Sequence, residues 1–443
     1  MHKPVNKTTW TFPSRSLSLA LAVIVILVCL FGILSAARSG ESRWLIQRLN
    51  EPRAQSPTEA KAQLLHETGE AVNTTPNDPE AHSGRALVLL NTNGFADALP
   101  EYERAVALRP GDYFLWLELG RARDMADDEQ GAIAALEQSV RFAPFYAQPR
   151  WQLGNVLFRA GRAEEAYAEL RRAALSDPSL LPNLIDLVWG ASVGDPVAVE
   201  RIIQPERVLW HIALAKFFIK HGKIVEGLTQ FRAAGGISEN DRQALLNELL
   251  AAKRYKEAYE VWSFDLGEKG REGGIALLND GGFESKMSRD NSGFGWQLAR
   301  DTQGLRLSLD RNNPHAGTQS LRVDFNGDAN PGQSILTQLI PVEQNMRYRL
   351  RFVARTEEIV TGGLPLIVVS DASSSKESLT LALSSPFPQN SAGWKAYSID
   401  FTSTETTSAV LVSLRRQNCS SGPCPIFGRM WLDDFVIEKM PGN

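Results

Sequence analysis

Two cysteines close to the C-terminus, Cys419 and Cys424, are the side chains best suited to covalent chemistry in this sequence of 443 residues. They lie in the segment NCSSGPCP, without a nearby histidine or further cysteine to complete a structural zinc site, and without the CxxC spacing of redox motifs. Two readings remain, a disulfide or two free surface thiols. We predict the disulfide, which indicates an oxidising compartment. The third cysteine, Cys29, lies in an apolar run.

Side-chain patterns typical of catalysis are scarce. The six histidines form no HExxH pair, and the sequence contains no P-loop and no GxGxxG. Asp433 and Asp434 cannot be the paired carboxylates of a glycosidase, because adjacent residues of a strand point to opposite faces. We therefore predict a protein that is not an enzyme and that holds no organic cofactor.

Length and charge set further limits. A chain of 443 residues predicts two or three domains. The net charge of −4, from 47 basic and 51 acidic residues, gives none of the positive field that nucleic-acid binding requires. We exclude nucleic acid as a partner.

An apolar run near the N-terminus is long enough to cross a bilayer. Leu17 to Leu34 is apolar nearly throughout, and a helix of about 20 such residues spans the hydrocarbon core. Basic residues flank both ends of the run, so their distribution does not orient it in the membrane. The predicted disulfide does, because it places the C-terminal part outside the cytoplasm. We therefore predict a cytoplasmic segment at 1–16, a membrane anchor at 17–37 and an extracytoplasmic remainder. The alternative is a secreted protein, cleaved near Ala37 after a signal peptide.

A period of 34 residues organises the next part of the chain. Prolines recur at this interval as Pro76, Pro110, Pro144 and Pro178. Alanines keep step as Ala98, Ala132 and Ala166, and a small residue recurs as Ala86, Gly120 and Gly154. Such a period is typical of paired helices that stack on one another, with proline ending each second helix.

WLELG at 116–120 and WQLGNVL at 151–157 complete a resemblance to tetratricopeptide repeats. The resemblance implies a curved solenoid that binds other proteins. We predict it over 58–265, with the best repeats at 79–178, degenerate repeats after that, and a stalk at 38–57 before it.

The same resemblance nominates the side chains of the concave face. These are Phe114, Leu117, Arg121, Trp151, Asn155, Phe158 and Arg159, with Asp124 and Gln148 at related positions. Arg121, Asn155 and Arg159 are suited to holding a carboxylate of a protein partner. The alternative is a solvated polar face without a partner.

The C-terminal part changes to alternating apolar segments after a glycine-rich linker at 266–276. Nine short candidate strands follow, separated by Gly, Asn, Asp, Ser and Pro, which indicates an antiparallel sandwich or barrel. The fold class predicted for the whole chain is therefore multidomain α plus β: a transmembrane helix, an α-solenoid and a β-sandwich.

Landmarks in this part occur in a familiar order: NDGGFE, GW, GTQSLRV, YRLRFVAR, GWKAYSIDF and WLDDFVIE. Together they resemble a jelly-roll carbohydrate-binding module of the galactose-binding-like superfamily over 277–440. The resemblance implies polysaccharide as a partner. It also implies a structural calcium held by Glu284 and Asp434, the alternative being a plain hydrogen-bonded closure of the edge strands.

Sugar recognition requires an exposed aromatic ring with polar neighbours. The aromatic candidates are Phe294, Trp296, Phe387 and Trp431, and the polar candidates are Gln338, Arg349 and Arg351. The alternative is that these aromatic residues belong to the core, where we place Trp394 and Tyr397.

Taken together, these features predict a membrane-anchored adaptor that docks a protein through its solenoid and a glycan through its sandwich. Such an architecture suits cell-envelope or exopolysaccharide assembly. The alternatives are a scaffold whose sandwich makes protein contacts only, and an accessory subunit of a polysaccharide-processing complex.

Overall fold

The computed structural model describes residues 15–47, 57–92, 94–264, 278–285, 293–298, 304–327, 332–374, 379–420 and 423–441. Helices occupy the first part and two antiparallel sheets the last, which confirms the predicted fold class. The chain divides into two compact units, Met1–Gln204 and Pro205–Asn443. The linker predicted at 266–276 and most of the segment 1–16 lie outside the described residues.

The first unit begins with one long helix, α1 (Arg15–Gln47). Its segment Ala22–Trp44 is apolar and long enough to cross a membrane. A signal sequence has the same length and composition, so both interpretations fit this helix. The helix continues past residue 37, so residues 38–47 of the predicted stalk are helical. Its end packs on α2 (Pro57–Thr74), where Thr75 Oγ1 donates to Ser42 Oγ at 2.8 Å.

Three helix pairs follow at the predicted period: α3 (Pro79–Asn91) with α4 (Phe95–Leu108), α5 (Tyr113–Met125) with α6 (Glu129–Phe142), and α7 (Ala147–Arg159) with α8 (Ala163–Ser176). The recurring glycines explain how closely the helices of a pair approach. A Cβ at Gly120 would lie 2.6 Å from Leu136 Cγ, and one at Gly154 would lie 2.6 Å from Leu170 Cγ. A larger residue at either position would overlap its partner helix.

The recurring prolines have a second role that their spacing does not reveal. Each proline carbonyl faces a side chain six residues later, at the start of the next first helix. His82 Nε2 lies 3.0 Å from Pro76 O, Trp116 Nε1 donates to Pro110 O at 2.8 Å, and Arg150 Nε donates to Pro144 O at 2.8 Å. After Pro178 the equivalent residue is the buried Leu184, which has no polar atom to donate. The exact period ends at this point.

Shorter helix pairs follow in the chain, within the range 179–265 predicted to hold degenerate repeats. A 3-10 turn (Pro178–Leu180) leads to α9 (Leu181–Ala191) and α10 (Pro196–Ile203) in the first unit. The second unit opens with α11 (Val208–Lys220) and α12 (Ile224–Ala234), then α13 (Glu239–Ala251) and α14 (Tyr255–Ser263). The described residues 179–264 thus hold three degenerate pairs.

Ten strands form the sandwich in the described residues: β1 (Gln297–Leu298), β2 (Leu305–Asp310), β3 (Ser320–Gly327), β4 (Leu336–Pro341), β5 (Arg347–Thr361), β6 (Pro365–Asp371), β7 (Thr380–Leu383), β8 (Lys395–Thr402), β9 (Ala409–Arg416) and β10 (Ile426–Lys439). One sheet has the order β1-β4-β9-β6-β7 and the other β2-β3-β10-β5-β8. All nine predicted strands are present; the two-residue β1 was not predicted.

The last helix pair packs against the sandwich within the second unit. Phe294 meets Trp262 of α14 edge-on, with ring centroids 5.8 Å apart. Tyr255 Oη donates to Ala372 O at 2.7 Å, and Lys253 Nζ donates to Ser373 O at 2.7 Å. These contacts attach helices and sheets to each other directly.

Candidate functional site

The predicted protein-binding residues lie on α5 and α7, the first helices of neighbouring pairs. Phe114 is 48 % exposed, and Arg121 and Arg159 are also exposed. Trp151, Asn155 and Phe158 are half-buried. The prediction for Leu117 is wrong: this side chain is fully buried in the core between α5, α6 and α7, because it fills the space between consecutive helix pairs.

The charged groups on these helices are paired. Arg159 Nη2 donates to both carboxylate oxygens of Asp124 at 2.6 Å, joining α7 to α5. Arg121 Nη1 donates to Oε1 of the buried Glu118 at 2.9 Å. The link between Asp124 and Arg159 shows that α5 and α7 present these residues on a common side, which we call the first-helix face. An acidic ligand would have to replace the present carboxylate partners.

Exposed aromatic side chains lie at the start of α5 and from the end of α6 to the turn before α7, and most of them were not predicted. Tyr113 and Tyr146 stack with ring centroids 5.0 Å apart and an interplanar angle of 8°. Phe142, Phe145 and Tyr146 are 45 %, 87 % and 58 % exposed. We call Tyr113, Phe114, Phe142, Phe145 and Tyr146 the aromatic edge. The detectable signal was the pair Phe145–Tyr146 in a turn, where polar residues are usual.

Five of the seven predicted sugar-binding residues are buried, among them all four aromatic candidates, which contradicts an exposed platform. Phe294 is 1 % exposed because α14 covers it, and Trp296 is 5 % exposed because it stacks on Phe283 in the core. Phe387 is also fully buried. The side-chain amide of buried Gln338 bonds the backbone of Asn279, with Nε2 donating to Asn279 O at 2.7 Å.

Trp431, the fifth buried residue, shares the outer face of the sheet β2-β3-β10-β5-β8 with Arg349 and Arg351. Trp431 is only 3 % exposed, since the Arg355 guanidinium lies 4.0 Å from its ring centroid. Arg349 forms a two-pronged pair with Asp400 at 2.6 and 2.7 Å, which lowers the pKa of the Asp400 carboxyl. Arg351 pairs with Glu438. This outer face is therefore charged and internally paired.

Of the two aromatic residues that we predicted for the core, Tyr397 lies there and Trp394 does not. Tyr397 stacks on the core residue Phe352 at 5.4 Å, as predicted. Trp394 instead lies beside the Arg355 guanidinium, 5.7 Å from its ring centroid, on the outer face.

The predicted calcium ligands each have protein partners. The Glu284 carboxylate accepts from the backbone N–H of Thr318 at 2.8 Å and from the Thr318 hydroxyl, and these bonds lower its pKa. Asp434 pairs with His315 Nδ1. Buried Asp433 accepts from the backbone N–H of His315 at 3.0 Å, and burial raises its pKa. Among the described residues, no three His, Cys, Asp or Glu side chains cluster to hold a metal.

The predicted disulfide between Cys419 and Cys424 is present. The disulfide closes a short loop, and buried Arg416 holds this loop in place, with Nη2 donating to Cys424 O at 2.9 Å. Burial lowers the pKa of this guanidinium.

One string, GASVG at 190–194, matches the GxSxG pattern of serine hydrolases. It lies in the turn between α9 and α10, with Ser192 at the C-terminal cap of α9. A nucleophile elbow needs a sharp turn from a strand into a helix, so this match does not build one.

No protein-family model and no curated protein matches this chain. Several solved structures are similar to part of it. MamA from Desulfovibrio magneticus RS-1 is 17 % identical over 44 % of this chain and 93 % of its own, with a TM-score of 0.29. YrrB, a TPR protein with an unusual peptide-binding site, is 18 % identical over 35 % and 84 %, with a TM-score of 0.28. Pseudomonas aeruginosa PilF is 16 % identical over 53 % and 98 %, with a TM-score of 0.34. At such scores these similarities add no argument, and the tetratricopeptide-like assignment depends on the 34-residue helix pairs themselves.

Proposed function

We propose that this protein is a non-catalytic adaptor that docks a protein partner on the first-helix face and the aromatic edge. The observation that carries the proposal is the exposure of four large aromatic side chains on consecutive repeats, Phe114, Phe142, Phe145 and Tyr146. Tyr146 stacks on Tyr113, the neighbour of Phe114 in the chain, which joins the two repeats. Large apolar side chains exposed in a group mark interaction sites, whereas single ones do not. Aromatic residues are also the side chains most often found at the energetic centre of interfaces.

The chemistry of the two surfaces suggests the nature of the partner. The aromatic edge suits an apolar anchor residue. Arg121 and Arg159 lie nearby in ion pairs that are partly exposed, and an acidic group of the partner can take the place of Asp124 or Glu118. We infer a partner segment that presents an apolar side chain followed by a carboxylate.

The test is co-purification of the partner with alanine variants. Replacing Phe114 and Phe145 together by alanine should weaken binding by about tenfold or more, as for aromatic anchors of other interfaces. Val197→Ala is the matched control, because this residue is apolar and 71 % exposed in the same unit. Equal recovery of the partner with the double variant and the control would refute the docking site.

We further propose that the adaptor acts outside the cytoplasm, on the cell envelope or in exopolysaccharide assembly, and that its sandwich binds glycan. The apolar helix α1 and the disulfide support an envelope location. The galactose-binding-like resemblance supports the glycan. Retention of the full-length protein in a gel that contains polysaccharide tests the second part. If no polysaccharide retards it, the sandwich is a protein-contact scaffold instead.

A further inference from the structure

A cleft at one end of the sandwich provides the exposed aromatic ring that the predicted sugar residues do not. It has a volume of about 650 Å³ and lies where β3, β5 and β10 meet the loop at 389–390. Phe427 is 49 % exposed in it. The polar residues of its lining are Asp324, Asn326, Glu358, Gln389, Asn390 and Arg429.

The backbone is distorted beside Phe427, which faces outward next to the buried Ile426. The register between β10 and β5 shifts between Phe427 and Arg429, which marks a β-bulge. Gly428 has φ 108°, and a Cβ there would lie 2.3 Å from Glu358 O, so only glycine fits. Glu358, in the partner strand, has φ 52°. Strained backbone and bulges gather at sites where a side chain must be aimed.

The polar groups around the ring are held in fixed positions. Asn390 Oδ1 accepts from the backbone N–H of Glu358 at 2.7 Å, which turns its NH₂ group away from that strand. The backbone carbonyl of Gln389 accepts from Ile359 N–H at 2.9 Å and fixes the loop. Arg322 donates to Oδ1 of Asp324 at 2.6 Å, so the second carboxylate oxygen can accept from a ligand hydroxyl.

We propose that this cleft binds a neutral pyranose unit of a polysaccharide, which rests on the proposed glycan-binding role of the sandwich. A pyranose has an apolar C–H face, which fits the Phe427 ring, and a rim of hydroxyls that both donate and accept. Amide and carboxylate groups satisfy both kinds of bond. The lining carries two carboxylates, Asp324 and Glu358, and one guanidinium, Arg429. This excess of negative charge disfavours a phosphate or a uronic acid and favours an uncharged sugar.

The experiment measures the retardation of the full-length protein, in detergent, in gels containing dextran, galactomannan, hydroxyethyl cellulose or alginate. The variants are Phe427→Ala and Asn390→Ala. Val436→Ala is the matched control, since this residue is 45 % exposed on the same strand but outside the cleft. We expect at least one neutral polymer to retard the wild type, both cleft variants to bind it about tenfold more weakly, and the control to bind it unchanged.

The other possible results distinguish binding at the cleft from glycan binding elsewhere on the sandwich. Retention by a neutral polymer that is unaffected in both cleft variants would overturn the cleft and leave glycan binding in place. Retention by alginate alone would overturn the choice of a neutral sugar. No retention by any polymer would overturn both the cleft and the glycan-binding role.

Discussion

At the residue scale, two carboxylates near the edge of the sandwich illustrate how surroundings set charge. Glu284 is exposed and accepts two hydrogen bonds from Thr318, so its pKa is lowered. Asp433 is fully buried, and the loss of hydration raises its pKa although backbone donors oppose this. Only the first of these groups gains stability from being charged at neutral pH.

The Glu284 interaction predicts a specific pH dependence. A carboxyl with a lowered pKa in the folded state stabilises the protein at neutral pH, and this contribution disappears as the carboxyl is protonated below about pH 4. Glu284→Gln should therefore melt earlier than the wild type by a constant amount between about pH 7 and pH 5, with the difference shrinking as the pH falls below about 4. Glu405→Gln, at an exposed loop glutamate, is the control. A difference that stays the same from pH 7 down to about pH 3 would contradict the assigned role.

The same variant addresses the calcium that the family resemblance implies, which stays a prediction. If Glu284 holds calcium, a chelator should lower the melting temperature of the wild type and leave Glu284→Gln unchanged. If the bonds to Thr318 alone close the edge, the chelator should affect neither protein.

Individual side-chain roles were the least predictable feature from sequence. The burial of Phe294 depends on contact with Trp262, 32 positions earlier in the chain, and that of Trp431 depends on Arg355. Neither contact follows from local alternation, because both join separate elements. Phe427 was missed because the strand predicted from the sequence began at Met430, whereas β10 begins at Ile426.

At the element scale, the helix pairs were highly predictable, because a repeated sequence forces a repeated packing. Each small residue of a first helix faces a specific residue of its second helix, as Gly120 faces Leu136 and Gly154 faces Leu170. Each of the first three proline carbonyls also accepts a hydrogen bond from the following first helix, and the donor is a different residue each time: histidine, tryptophan, then arginine. Because the donor residue differs in each repeat, this position cannot be recognised as part of the repeat from the sequence.

Two glycine substitutions test the packing of the pairs. A Cβ at Gly154 would lie 2.6 Å from Leu170 Cγ and 3.1 Å from Ala166 O, so Gly154→Ala should destabilise the protein by about 1–3 kcal/mol. Gly190, also helical, has no atom within 4 Å of the same position. Gly190→Ala should stabilise by about 0.5–1 kcal/mol because alanine is the better helix former. Chemical denaturation measures both, and equal effects would contradict the assigned packing.

At the scale of the whole molecule, composition and pattern predicted the order of helix, solenoid and sandwich. The division into units was not visible in the sequence, because α11 to α14 resemble further repeats but form one compact unit with the sheets. Bonds from Tyr255 and Lys253 to a sheet loop hold α14 and its neighbours there. The first unit therefore offers the exposed aromatic edge, and the second offers the cleft at Phe427.

The central claim is that a protein partner docks on the first-helix face and the aromatic edge. Photo-crosslinking in cells that make the protein tests this claim most directly. A benzophenone amino acid is placed at position 114 or 145, and at Val197 as the exposed control. We predict that positions 114 and 145 each give the same discrete protein adduct and that position 197 does not. An adduct from position 197 alone, or none from 114 and 145 while the partner still co-purifies, would contradict the account.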